Sequence, residues 1–331
     1  MSNSAIRVYF TVDTETSMGG AWSNPAYAPL PLDCTVFGKY RSRSYGIPLI
    51  MDILENYDFR ATFFTEVFCA YNVGYEPVAA ALRSIQARGH DAQLHLHPEQ
   101  RFYRDFLGGG ERREEGLMFA FPAAEQSELI CEGVALFREL SGKMPRAYRA
   151  GCYGGSEVTL RALRQNGIEI DSSYNLAYLG STCGFEMQLL NAPVMLEGIR
   201  EFPVTVFRVL GLPGYKPLEI SAVSVSEIIA TVRRLQEAGC RDVVLVLHSF
   251  SLLKNGGIRY ESCRPDHLVI RRLKKLCGIL SQLRGEVEVC VLGETPLSLP
   301  SPAQPQVIPS LTWLQPSLRK ITQGVNRIPW L

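Results

Sequence analysis

The sequence predicts an α/β protein in which repeated strand–helix units surround a parallel sheet or barrel. Three observations carry this. Short apolar runs recur along the chain, and segments with helical spacing fall between most of them. One run, "VVLVLHS" (243–249), is apolar at five consecutive positions, as a parallel strand covered on both faces should be. Polar and titratable residues gather where several runs end, which is where parallel α/β folds bind ligands.

Taken in order, the strand-like runs are "RVYFTV" (7–12), "RATFFT" (60–65), "DAQLHLH" (91–97), "RAYRAG" (146–151), "IEIDSS" (168–173), "REFPVTVF" (200–207), "DVVLVLHS" (242–249) and "VEVCVLG" (287–293). The helix-like segments are 47–57, 77–89, 124–142, 156–167, 224–239 and 266–285, and several stop at a glycine. Two insertions follow strand ends, residues 17–44 and 98–122, and are expected to form the rim of a pocket. The organisation expected is one barrel over residues 1–295 and a proline-rich tail over 296–331 that packs on the barrel or trails from it.

A chain of 331 residues suits a single α/β barrel, and 46% hydrophobic with 20% charged residues suits a globular core. A formal net charge of +1 gives no reason to expect nucleic acid or an anionic membrane as partner. No secretory h-region and no run of about 20 apolar residues is present, so no transmembrane segment is expected. Nine cysteines without a C-x-x-C pair point to reduced thiols and a cytoplasmic setting.

Alternation along "YFTVDTE" puts Tyr9, Thr11, Asp13 and Glu15 on one face of the first strand. Two carboxylates thus emerge together. They suit a cation ligand and a base, or, more plainly, a helix cap or surface turn. In "GHDAQLHLHPEQ" (89–100), Gln93, His95 and His97 share a face, and Pro98 ends the strand. Two imidazoles beside two carboxylates suit a divalent metal with an open position, zinc before others.

His248, at the tip of an apolar strand, suits acid/base work near neutral pH; the plainer reading is a loop cap. Arg149 in "YRAGCYGG" is suited to orient a carboxylate or bind substrate, with Asp171 in "IDSSYN" as its charge partner or a helix cap. His90 belongs to a turn and His267 opens a helix, so neither is a site candidate.

These five stretches, in this order, resemble the motifs of the polysaccharide deacetylase family, the NodB-homology carbohydrate esterases, over residues 6 to about 295. The resemblance implies a distorted (β/α) barrel of about seven strands and a metal-dependent removal of N- or O-acetyl groups from sugars. It implies Asp13 as general base. The common pattern has the metal acid next, where this chain has Thr14; Glu15 fits a variant with the acid two residues after the base. His95 matches the first imidazole ligand. The common four-residue spacing then falls on Glu99, while the variant H-L-H-P segment makes His97 the second ligand. Arg149 matches the arginine that orients the base, although Ala150 and Gly151 replace the prolines common after it. His248 matches the general acid, and Asp171 lies in the "DSS" stretch counted with the catalytic group.

The expected substrate is an acetylated sugar in a cytoplasmic glycan or lipopolysaccharide precursor. The competing readings are a hydrolase of a non-sugar amide, metal-free in some relatives, and a barrel that binds glycan without catalysis. Oligomeric state is not legible.

Overall fold

The structure is a computed structural model that describes residues 5–187, 190–296 and 303–312. Apart from a short hairpin at 39–44, its strands are β1 (Ile6–Thr14), β2 (Thr62–Glu66), β3 (Asp91–Leu96), β4 (Ala147–Ala150), β5 (Ile170–Asp171), β6 (Val194–Leu196), β7 (Ile199–Glu201), β8 (Val206–Val209), β9 (Lys216–Pro217), β10 (Asp242–His248), β11 (Leu253–Lys254), β12 (Arg264–Pro265), β13 (Val287–Cys290) and β14 (Ser310–Leu311). The longer helices are α1 (Ile47–Glu55), α2 (Tyr75–Ala87), α3 (Pro98–Leu107), α4 (Ala123–Ser141), α5 (Glu157–Gln165), α6 (Val225–Glu237) and α7 (His267–Gln282).

The main sheet has nine strands in the order β10-β1-β2-β3-β4-β5-β7-β6, with β13 also paired to β1. Pairing is parallel except between β6 and β7. β1 is flanked on one side by β10 along its length; on the other, β13 takes its first half and β2 its second. The sheet curls into a half-barrel. Irregular segments then cover the free edge of β10: Thr205 donates its N–H to the Val244 carbonyl, Val246 donates to Leu218, and Ile220 donates to Val246. The predicted α/β class and distorted barrel are what the chain adopts.

Curling buries both faces of the sheet, as the apolar run of β10 requires. Tyr9, Phe64, Ile170, Phe202 and Val244 fill the concave side, while Phe10, Val12, Phe63, Leu94 and Leu96 face the helices. α4 comes so close that a side chain at Gly133 would meet Leu96 at 2.6 Å, which explains a glycine in mid-helix.

Local departures from the sequence reading have physical causes. The run 200–207 is two strands, because Pro203 has no N–H to offer a ladder. Residues 168–173 contribute only β5, since Ser172 and Ser173 turn away to hydrogen-bond side chains and neighbouring carbonyls. Within the insertion 98–122, residues 98–107 form α3, with Pro98 in the first turn and Phe102 and Tyr103 buried. Part of the tail lies on the barrel: β14 pairs with β8, and the Gln304 side chain donates to Asp242. Residues 297–302 and 313–331 of that tail lie outside the described residues. No helix among the described residues is long and apolar enough to cross a membrane.

Candidate active site

Parallel pairing brings the carboxyl ends of β1, β2, β3, β4 and β10 to one rim. Period-two alternation then decides which side chains look into the concave side. From β1 these are Thr11 and Asp13, with Glu15 just beyond; from β3 they are His95 and, one step past the strand, His97.

The Glu15 Oε2 atom lies 2.9 Å from His95 Nε2 and 2.7 Å from His97 Nε2. Each ring is anchored through its other nitrogen: His95 Nδ1 donates to the Arg149 carbonyl at 2.7 Å and His97 Nδ1 to Glu99 Oε1 at 2.9 Å. Such outer partners fix ring orientation and tautomer in metal sites and leave Nε2 to the ion. One ligand atom from each of Glu15, His95 and His97 lies within 4.8 Å of the other two, so these residues could hold a metal ion. Two neutral imidazoles and one carboxylate make a donor set suited to zinc. Glu99 sits behind His97, on the ring nitrogen that faces away from Glu15.

The acidic surroundings favour positive charge, which without an ion falls on His97 as a proton that a bound metal would displace. Burial opposes ionisation of Glu15, but the charge of His97 and hydrogen bonds from both rings outweigh it and hold its carboxyl well below the usual range. Burial likewise opposes a charged His97; the Glu99 and Glu15 carboxylates prevail and raise its pKa well above the ordinary value. The turn after β4 completes the seat. A side chain at Gly151 would meet the His97 ring at 2.7 Å, and Cys152 and Tyr153 follow with φ of 53° and 60°. Two successive non-glycine residues in the left-handed region are uncommon and costly. They wrap the chain around the ring.

Asp13 is 3% exposed and Arg149 0%. Arg149 Nη1 donates to Asp13 Oδ1 at 2.7 Å and to Thr11 Oγ1 at 2.9 Å; its Nε and Nη2 donate to the Ser172 carbonyl and hydroxyl, both at 2.9 Å. Its guanidinium also lies over the Phe64 ring, 4.5 Å from the centroid. The second oxygen of Asp13 faces His248, with Nε2 3.9 Å from Oδ2. The His248 ring stacks on Phe250 at 5.1 Å, and its side chain is 24% exposed, reachable from the rim.

The pairing of Arg149 with Asp171 is corrected: its carboxylate partner is Asp13. Tyr148 is the register partner of Asp171, so alternation sends Arg149 and Ser172 to the concave side and Asp171 to the opposite one. There Asp171 accepts from the Ser173 N–H and hydroxyl, and Ser173 in turn accepts the Ala150 N–H. Its register partner on β7 is Glu201. Burial, then the charge of Asp171, raises the Glu201 carboxyl well above the usual range.

Sequence reasoning missed two carboxylates at the rim. Glu66 ends β2 as the register partner of His95 and accepts the N–H groups of Phe68 and Cys69 at 2.7 and 2.8 Å. A signal for it exists, an acid closing "ATFFTE" as Glu15 follows the first strand. Glu219 Oε1 lies 4.0 Å from His248 Nδ1, and no motif marks it, because it sits in the irregular segment that covers β10.

No family model matches the sequence, and no curated protein matches it either. Among solved structures, the chain is similar to a putative polysaccharide deacetylase from Mycobacterium smegmatis, with a TM-score of 0.57 and 18% identity over 91% of this chain and 95% of that one. It is also similar to the allantoinase PuuE, with a TM-score of 0.52 and 13% identity over 88% of each chain. A third likeness is to a 4-alpha-glucanotransferase from Thermococcus litoralis, with a TM-score of 0.51 and 14% identity over 88% of this chain but 40% of that one. At these identities the likeness is one of architecture: the chain has the half-barrel fold of polysaccharide deacetylase-like proteins.

Proposed function

We propose that the protein is a metal-dependent hydrolase that removes an acetyl group, N-linked before O-linked, from a sugar of a glycan or lipopolysaccharide precursor. One observation carries the reading: Asp13 is held by Arg149 on one oxygen and faced by His248 on the other, beside the Glu15, His95 and His97 cluster.

Glu15, His95 and His97 would hold a divalent ion, zinc by the donor set. When bound, it supplies Lewis acidity to the acyl carbonyl and to the attacking water. Asp13 accepts the proton of that water. Arg149 holds one carboxylate oxygen by a hydrogen bond and leaves the other facing His248 at the rim. His248, on the far side of that oxygen and open to solvent, donates the proton that the departing amine needs. Asp171 acts at one remove, fixing the end of β4 through Ser173. All nine cysteines are free thiols, which supports a reducing, cytoplasmic setting.

The test is acetate release from N-acetylated sugars by metal-loaded protein, together with elemental analysis of protein purified without added metal. His248→Ala should lower kcat by about 10²–10⁴-fold with little change in KM and an unchanged thermal melt. Normal turnover by that variant would make His248 structural. Turnover of a cyclic or linear non-sugar amide by metal-free protein, with no acetate released from any sugar, would replace this reading with the amide hydrolase one.

A further inference from the structure

A formal net charge of +1 conceals an uneven distribution. The helices α6 and α7 pack against one another and leave between them a groove of about 520 Å³. Helical spacing decides what lines it, because residues four apart share a face. Ile229, Ala230 and Ile279 are half-buried there and make an apolar floor. Arg233, Arg234 and Lys275 line the same groove and are exposed. Arg271, also exposed, stands one turn before Lys275 and extends the basic row of α7. The acid of the lining is Glu237. Among the described residues, no ion pair or ring contact engages the side chain of Arg233, Arg234, Arg271 or Lys275.

Left bare, such a face is unfavourable twice over. Arg271 and Lys275 repel as a like-charged pair four residues apart, and the aliphatic floor stays wet. A partner that offers anions above an apolar layer relieves both. A second copy of the chain would instead set like charge against like. Nor does the chain's own tail complement the groove, since residues 313–331 carry Arg319, Lys320 and Arg327 and no acid. That tail suits the same partner as the groove does. It follows β14, which packs on α6, and it joins its cations to Trp313, Trp330 and aliphatic residues between them. A nucleic acid would satisfy the cations and leave the aliphatic floor without a partner.

We infer that this flank docks on an anionic lipid surface. The cations of α6 and α7 meet the headgroups, while the groove floor and the apolar residues of the tail reach the acyl boundary. None of these residues belongs to the proposed catalytic group, so docking and turnover are tested apart.

Flotation of the full chain with vesicles of equal parts phosphatidylglycerol and phosphatidylcholine, against pure phosphatidylcholine, reads the docking. Binding is expected on the mixed vesicles, little on the neutral ones, and less as added salt screens the charges. Arg233→Gln with Lys275→Gln should weaken binding about 30-fold, from roughly fivefold per cation. Lys275→Arg alone should keep it. Arg138→Gln with Lys143→Gln removes the same charge from α4 and the turn after it, and should bind as the wild type does. All four replaced side chains are exposed, so the fold should tolerate the changes, and a thermal melt checks this.

Absence of binding to the mixed vesicles overturns the inference, as does equal binding to the neutral ones. An equal loss in the α4 pair also overturns it, for then net charge and not this face is read. Single-stranded RNA bound by the wild type and lost in the Arg233 and Lys275 pair, with no vesicle binding, would assign the face to nucleic acid instead.

Discussion

Replacing Gly151 by alanine tests the metal seat without touching a proposed ligand. The new Cβ would stand 2.7 Å from Nδ1 and Cε1 of His97 and 2.8 Å from Cδ2, over the face of the ring. Ordinary contact begins near 3.4 Å, so the ring must retreat by about 0.7 Å. It cannot do so freely, because Glu99 and Glu15 hold its two nitrogens. A displacement of that size exceeds the roughly 0.2 Å tolerance of a metal–ligand bond. The expected result is a loss of about 10–100-fold in zinc or cobalt affinity, the scale on which disturbed ring orientation acts. Overpacking should cost about 1–3 kcal/mol in the metal-free protein. The assay is competition against a chelating indicator, with thermal melts at saturating and zero metal. Tenfold weaker binding removes about 1.4 kcal/mol of metal-induced stabilisation at the same ion concentration. Wild-type affinity in this variant would refute the reasoning, for then His97 either has room to move or plays no part in holding the ion.

Other outcomes follow from the same geometry. Asp13→Asn should keep metal and lose most turnover, whereas Glu15→Gln should lose metal first and recover part of its activity in excess ion; exchanged phenotypes would mean the two acids are assigned backwards. Arg149→Met should destabilise the fold by about 3–5 kcal/mol in urea unfolding, because it strands a buried Asp13 carboxylate; adding Asp13→Asn should recover part of that loss, and simple additivity would argue against the pair. His90 accepts the Ala61 N–H on Nδ1, and burial lowers its pKa from the usual 6.5. The unfolded chain therefore takes up this proton first, and stability present above about pH 6.5 should fall as pH drops through the lowered folded value. His90→Asn should flatten that part of the pH–stability curve measured by denaturant unfolding.

Side-chain alternation is a property of a strand's own backbone. That is why the shared faces of Asp13 with Thr11 and of His95 with His97 are legible from residue order alone, and why the apolar length of 243–247 announces a strand covered on both sides. The helix over 98–107 is harder to read because an insertion rich in charge masks the buried positions of Phe102 and Tyr103.

What pairs with what across strands is another matter. The partner of Arg149 depends on the register of β4 against β5, and a one-residue offset sends Asp171 to the far side of the sheet and leaves Asp13 on the near one. Glu219 meets His248 only because an irregular stretch closes the edge of β10 through backbone hydrogen bonds. Sequence determined which residues could carry chemistry, because residue type and alternation are local. Tertiary structure decided which of them meet, because register and closure are set by contacts between segments far apart in the chain.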